Sequence, residues 1–351
     1  MAPDASGRPS RSLRILIVSD AWFPQVNGVV RTLSVVTDIL RARGDVVEVI
    51  GPDRFRSLPM PGYAEIRLAI APRRGLAAMA DAFAPDAVHI ATEGPLGWAM
   101  RAICRRRGWP FTTAFHTKFP EYMQARMGLP PAWSWAVLRR FHQAGAGIFA
   151  ATASLRADLA AHGFTRIHPW TRGVDLARFR PEPREAFEGL PRPIFLYAGR
   201  IAVEKNVGAF LALDLPGTKV VVGDGPARAA LARRYPRAHF TGYLVNGSLA
   251  RAYAGADVFV FPSRTDTFGL VLLEALAAGT PIAAYPVTGP LDILTDPSLG
   301  ALNEDLRAAC LRALDGDRAA CRRHAERYSW DLCASQLRDG LVLLGTPADV
   351  A

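Results

Sequence analysis

Cysteine is scarce in this chain of 351 residues, with four in all, and lysine is scarcer still, at positions 118, 205 and 219 alone. Cys104, Cys310, Cys321 and Cys333 have no metal-ligand spacing, which argues against a zinc ribbon or a disulfide-stapled scaffold and leaves ordinary reduced thiols. Long apolar runs are missing too. The most apolar stretch, Phe268–Tyr285, is broken by Glu274 and by Gly279-Thr280-Pro281, so no membrane-crossing helix is expected. The apolar run Ile15–Val18 is too short for a signal-peptide core and leads straight to Asp20. A cytoplasmic location is expected, with any membrane contact peripheral and at the inner face. No Pro/Gly/Ser tract is long enough to be a disordered tail, so the chain should fold throughout. The Asp-x-Asp at Asp315-Gly316-Asp317 lies between helical segments, away from any strand end, and the sequence calls for neither a metal nor a bound cofactor.

What is present is a globular composition, 50% hydrophobic and 21% charged, with enough chain for two domains. The net charge of +10 is unevenly placed: residues 1–175 hold 22 Lys+Arg and 13 Asp+Glu, leaving 20 and 19 (42−22 and 32−13) for the remainder. A basic first half suits an acidic partner, anionic lipid or nucleic acid, or is a merely basic surface. The arginines match no nucleic-acid motif, so no nucleic-acid partner is expected. Trp133, Trp135, Arg139, Arg140 and Phe141, with the Arg105-Arg106-Arg107 cluster, mix aromatic and basic residues as interfacial helices do. Packing of the tryptophans into the core is the competing reading.

Short apolar runs alternate with amphipathic segments from end to end. Arg14–Ser19 and Val46–Ile50 flank a helical spacing of Val29, Leu33, Val36 and Leu40, which reads as a βαβ start. Strand candidates follow at 65–69, 87–91, 111–115, 147–151 and 166–170, implying a parallel sheet covered on both faces. Around Arg178–Pro193 the sequence turns Pro-rich, and a second series begins at 194–198, 219–223, 238–241, 258–261 and 282–284. The expected fold is α/β, two doubly wound Rossmann-like domains at 1–177 and 178–328, with a final helical segment within 329–351 crossing back to the first. Such sheets bind ligands at the carboxyl ends of their strands.

Four loops after strands attract attention. Ser19–Gly28 leads into a helix at Val29, where Gly28 lets backbone approach a ligand and helix-start N–H groups favour an anion; a plain turn is the alternative. Gly199-Arg200, with Lys205 close behind, can aim a guanidinium fork and a compact ammonium at one diphosphate. Gly223-Asp224-Gly225 lacks the third glycine and the later acid of a dinucleotide fingerprint and reads as a structural turn. Pro262–Gly279 carries the most information. Its loop holds Asp266, suited to sugar hydroxyls; Thr267, Phe268, Gly269 and Leu270 present helix-start amides to phosphate or sugar oxygens; and Glu274, about one turn in, suits ribose hydroxyls or the helix dipole.

Asp266, seven intervening residues and Glu274 resemble the paired-carboxylate hallmark of the GT-B-fold retaining glycosyltransferases of family four, although the first position there is usually Glu. Gly28, His116 in Phe115-His116-Thr117, Arg172-Gly173-Val174-Asp175, Arg200 and Lys205 fall in the family's order, so the resemblance covers nearly the whole chain. Gln25–Leu33 and Thr265–Gly269 further resemble the branch holding sulfoquinovosyl- and glycosyl-diacylglycerol synthases and related mannosyltransferases. The resemblance implies a GT-B pair of domains facing a cleft, a nucleotide-diphosphate sugar donor and retention of configuration. It implies that Arg200, Lys205, His116 and Asp266 act in catalysis, with His116 at the donor sugar, while Gly28, Thr267–Leu270 and Glu274 bind donor. Its acceptor is a lipid, diacylglycerol-type, or another hydroxyl. Glu93, in Thr92-Glu93-Gly94-Pro95, ends a strand and is a candidate for orienting that acceptor. Two alternatives stay open: a sugar-nucleotide epimerase or hydrolase on the same architecture, and a non-catalytic carbohydrate- or lipid-binding protein.

Overall fold

Apolar runs of four or five residues, each followed by an amphipathic helix, bury both faces only as parallel strands covered on both sides. In the computed structural model, which describes residues 11–25, 27–60, 63–70, 72–116, 131–264, 266 and 268–345, they build two six-stranded parallel sheets in two compact units. The chain changes units between Thr171 and Arg172 and again between Ser329 and Trp330.

The first unit contains β1 (Arg14–Val18), β2 (Val46–Ile50), β5 (Ala87–Ile90), β6 (Thr112–Phe115), β7 (Gly147–Ala150) and β8 (Ile167–Pro169), in the order β2-β1-β5-β6-β7-β8. Ile15, Leu16, Ile17 and Val18 are all fully buried, as a central strand covered by helices on both faces requires. The run at 65–69 departs from the parallel expectation. It belongs to β4 (Tyr63–Ala69), which pairs antiparallel with β3 (Ser57–Met60) in a separate ribbon. Two residues separate β3 from β4, far too few for the crossover a parallel pair needs.

The second unit contains β9 (Ile194–Ala198), β10 (Thr218–Val222), β11 (His239–Gly242), β12 (Val258–Phe261), β13 (Ile282–Ala284) and β14 (Gly300–Leu302), in the order β11-β10-β9-β12-β13-β14. β14 has three residues, too short to show periodicity, and is paired with β13 by position alone.

Unit assignment differs from the sequence boundary at 177/178 for a packing reason. Trp170 is fully buried in the first unit and its indole N–H donates to the Cys333 carbonyl at 3.0 Å. Past it, the Val174 N–H donates to the Tyr328 carbonyl and Phe179 packs edge-on against Tyr253, both in the second unit. The Pro-rich stretch thus lies within the second unit. The helix Trp330–Asp339 packs on the first, where Arg338 pairs with Asp45 through two N–H groups at 2.8 and 3.2 Å and Gln336 accepts from the Thr171 N–H. Among the described residues no helix is long and apolar enough to cross a membrane.

In both sheets the strand order reverses once, between β1 and β5 and between β9 and β12. The carboxyl ends at a reversal diverge into loops on opposite faces and leave a crevice, where open α/β sheets take their ligands.

Candidate active site

In the second unit the loops after β9 and β12 meet at the reversal. Gly199 (φ +151°) turns the chain out of β9, and Gly223 (φ +128°) does the same after β10; a Cβ on Gly223 would sit 1.9 Å from the Gly199 carbonyl oxygen. Gly225 is equally constrained, since its Cβ would lie 2.4 Å from the Ile201 oxygen. The glycines let two loops run in backbone contact, and the Ile201 N–H donates across to the Asp224 carbonyl at 2.8 Å. Gly223-Asp224-Gly225 thereby acts as the structural support of the Arg200 loop.

A single helical turn, Val203–Lys205, then ends at Asn206, whose side-chain amide donates to the Pro262 carbonyl at 3.1 Å and ties this loop to the one after β12. That tie brings Lys205 Nζ to 2.6 Å from Asp266 Oδ1. The other oxygen, Asp266 Oδ2, is buried with no hydrogen-bond partner among the described residues. A buried carboxylate oxygen without a donor is costly, and a ligand hydroxyl would satisfy it. Tyr197 supports the floor: its hydroxyl donates to the Arg200 carbonyl at 2.6 Å. Burial raises that phenol well above its ordinary value, and the charges of Asp266 and Glu204 push the same way, so it stays a neutral donor.

Gly269 (φ +82°) is the N-cap of the helix Leu270–Ala277 and has no side chain to cap it. Glu274 within that helix is 3% exposed and its Oε2 accepts from the Tyr253 hydroxyl at 2.8 Å, so its orientation is fixed from behind. Phe268 is buried with its ring edge-on to Tyr328, and Leu270 is half-buried. Arg200, Lys205, Asp266, Phe268, Gly269 and Leu270 thus share one end of the sheet. Thr267 lies outside the described residues. Among those residues no group of three or more His, Cys, Asp or Glu is placed to hold a metal.

In the first unit, Asp20 follows β1 and reaches the loop after β5. Its carboxylate accepts from the Leu96 and Gly97 N–H groups at 2.9 and 3.2 Å and from the Thr92 hydroxyl at 3.0 Å. Gly97 must be glycine, because a Cβ there would lie 1.9 Å from the Thr92 oxygen. Asp20 therefore caps a helix start that could otherwise meet an anion. Burial pushes its pKa up from 3.8 to about 6, against those hydrogen bonds. The folded chain then holds this proton more tightly than the unfolded chain, so the stability it contributes is fully present below pH 4 and lost as pH rises through 6. The expected cost across that window is about 2–3 kcal/mol. Denaturant titrations of the parent and of Asp20→Asn at pH 4 and pH 7 check this: the difference between them should move in favour of the Asn variant as pH rises, and a difference independent of pH would contradict it.

Gly28 is exposed at the first position of the helix Gly28–Ala42. The amides behind it are not open to an anion as the sequence suggested, because the Asn27 side chain already accepts from the Val29 and Val30 N–H groups at 3.0 Å each. Asparagine before the helix is a preferred N-cap, and it takes the donors that a phosphate would need. His116 directly follows β6, half-buried, with its ring edge-on to Trp170 at 5.5 Å. Glu93 is held by a residue that sequence reasoning passed over: fully buried His142 places Nε2 3.1 Å from Glu93 Oε1 and Nδ1 2.8 Å from the Thr113 hydroxyl. Only its place in the Trp133–His142 segment hinted at it. Tyr253 and Tyr197 were likewise missed, being apolar-run residues whose hydroxyls matter only after folding.

The aromatic-basic helix Pro131–His142 divides between its two readings. Trp135 is buried and stacks on His162 at 3.9 Å, whereas Trp133 is 75% exposed beside exposed Val137, Arg139 and Arg140. In the arginine cluster, Arg107 pairs with Asp81 and lies over the Trp109 ring, while Arg105 and Arg106 point to solvent.

Comparison with known proteins matches residues 26–178 to the family described as Glycosyltransferase Family 4 and residues 192–315 to Glycosyl transferases group 1. A GDP-mannose-dependent alpha-mannosyltransferase of Mycolicibacterium smegmatis is 34% identical over 316 residues, covering 83% of this chain and 84% of that protein. The sulfoquinovosyl transferase SQD2 of Arabidopsis thaliana is 29% identical over 96% of this chain and 74% of its own. Among solved structures, a sucrose-phosphate synthase from Thermosynechococcus elongatus superposes with a TM-score of 0.74 at 20% identity, covering 94% of this chain and 98% of that one, a likeness of fold.

Proposed function

The chain belongs to glycosyltransferase family 4, and from that premise we propose that it moves a sugar, with retention, from a nucleoside-diphosphate sugar held by the second unit to a lipid hydroxyl carried by the first. The observation that carries this reading is the Lys205–Asp266 pair at the β9/β12 reversal, with its buried, undonated carboxylate oxygen. In that reading Asp266 Oδ2 accepts a hydroxyl of the donor sugar; the role of His116 in sugar contact is the one the family resemblance implies. Glu274, oriented by Tyr253, takes the ribose hydroxyls. The start of the helix Leu270–Ala277, with Gly269 before it, faces phosphate oxygens. Lys205 and Arg200 meet the charge that builds on the diphosphate as it leaves.

The chemistry needs no protein nucleophile. The bond from the anomeric carbon to the diphosphate breaks, the acceptor oxygen attacks from the same face, and the departing diphosphate oxygen takes the acceptor's proton. Glu93, braced by His142, orients the acceptor hydroxyl. The basic charge of the first half, with exposed Trp133, Arg139 and Arg140, favours an acceptor presented at an anionic membrane surface.

The test is incubation with nucleotide sugars, GDP-mannose first because the mycobacterial relative uses it, together with diacylglycerol-type acceptors in vesicles. Nucleoside diphosphate release that depends on acceptor, with a glycosylated lipid identified by mass spectrometry, is the expected result. Free sugar or an epimer formed from donor alone would overturn it.

A further inference from the structure

The amino-terminal ends of β9 and β12, the opposite end of the second sheet from the donor loops, carry an open depression of about 700 Å3 lined by Arg184, Arg192, Pro193 and Asp257. Pro193 immediately precedes β9 and Asp257 immediately precedes β12, and Asp257 Oδ2 accepts from the Ile194 N–H at 2.7 Å. The length of β9 sets this place about 16 Å from Gly199-Arg200.

Its charge is unbalanced. Arg184 and Arg192 both pair with Asp257, Arg192 at 2.9 Å, and Arg192 also donates to the Gly255 carbonyl at 2.8 Å. Behind them Arg318 donates to the Ala256 and Ala254 carbonyls at 2.9 and 2.7 Å and has no carboxylate partner among the described residues. Among the described residues, two guanidinium groups therefore share one carboxylate, with the Arg318 charge close enough to act on them. Burial lowers the pKa of Arg192 and of Arg318, and the neighbouring Arg184 charge lowers both further. Asp257 holds the two outer forks in place, yet their side chains stay 42% and 36% exposed and keep N–H groups for an incoming anion.

We propose that this depression binds a phosphomonoester, its dianion on Arg184 and Arg192 and its organic part against Pro193. A dianion matches the surplus charge, and guanidinium forks suit phosphate oxygens two at a time. The depression is open and wider than bare phosphate needs, which leaves room for an organic group beside Pro193. The phosphate is that of a soluble ester or of a lipid headgroup.

Calorimetric titration of the full chain with glycerol 3-phosphate and with inorganic phosphate, beside sedimentation with phosphatidylcholine vesicles with and without phosphatidic acid, separates the two sources. Glycerol 3-phosphate or the phosphatidic-acid vesicles should bind, with affinity falling at least about tenfold in R184A/R192A and rising severalfold in D257N, which removes the internal counter-charge. If the double alanine variant does not fold, R184K/R192K keeps the charge and loses the forks, and it should still weaken binding. No binding by any probe, or equal binding by parent and variants, would overturn the proposal; the latter would place the anion elsewhere, the donor loops included.

Discussion

Replacing Lys205 by alanine is expected to lower turnover by about 10²–10³, or roughly 3–4 kcal/mol in the barrier, because the cation that meets the leaving diphosphate acts where charge develops. Arg200→Ala should lose a similar amount. Stability should fall far less than turnover. The Lys205–Asp266 pair keeps 30% and 23% side-chain exposure, so water reaches the carboxylate left behind, and the unfolding midpoint of K205A should shift only modestly from that of the parent. Asp266→Asn separates the two partners' roles: it removes the charge that pairs with Lys205 and replaces one of the two acceptor oxygens by an N–H donor, and in the proposed scheme it raises KM for the donor as well as lowering kcat. Steady-state assays of nucleoside diphosphate release, run beside denaturant titrations, check all three variants. Undiminished turnover in K205A and R200A would remove the proposed role of both cations.

Arg338→Ala is expected to cost about 3 kcal/mol of stability in the first unit, far from the loops that carry chemistry. The Asp45 side chain is 2% exposed and depends on both N–H contacts from Arg338; without them, among the described residues, it keeps the Leu13 N–H at 3.0 Å. A buried carboxylate left without its cation is strained far more than a pair removed together. The double variant Asp45→Asn, Arg338→Met should therefore recover much of the loss, and fluorescence-monitored unfolding in denaturant distinguishes the cases. Equal stability of R338A and the parent would mean that the helix Trp330–Asp339 is held without this ion pair, by its apolar face through Cys333, Ala334 and Leu337 and by its hydrogen bonds with Trp170 and Thr171.

Both expectations concern contacts that no local pattern announces. Lys205 and Asp266 were each singled out from motifs, one as a phosphate ligand and the other as a sugar ligand, and their meeting was not foreseen. Glu93 was legible as a residue ending a strand, but His142, 49 positions later, read as part of a surface helix. Gly28 was legible as the residue opening a helix, yet the adjacent Asn27, a strong N-cap by composition, was not weighed against the anion it displaces.

By itself the sequence determined the element types, the repetition of strand and helix, and the residues at the carboxyl ends of strands, because these follow from periodicities of two and 3.6 residues and from where glycine interrupts them. The tertiary structure alone decided which strand ends become neighbours. Strand order is set by how helices cover the two faces of each sheet, and that covering is settled among residues tens to hundreds of positions apart. The reversal between β9 and β12 brings Lys205 to Asp266 across 61 positions, and the return of the last helix brings Arg338 to Asp45 across 293.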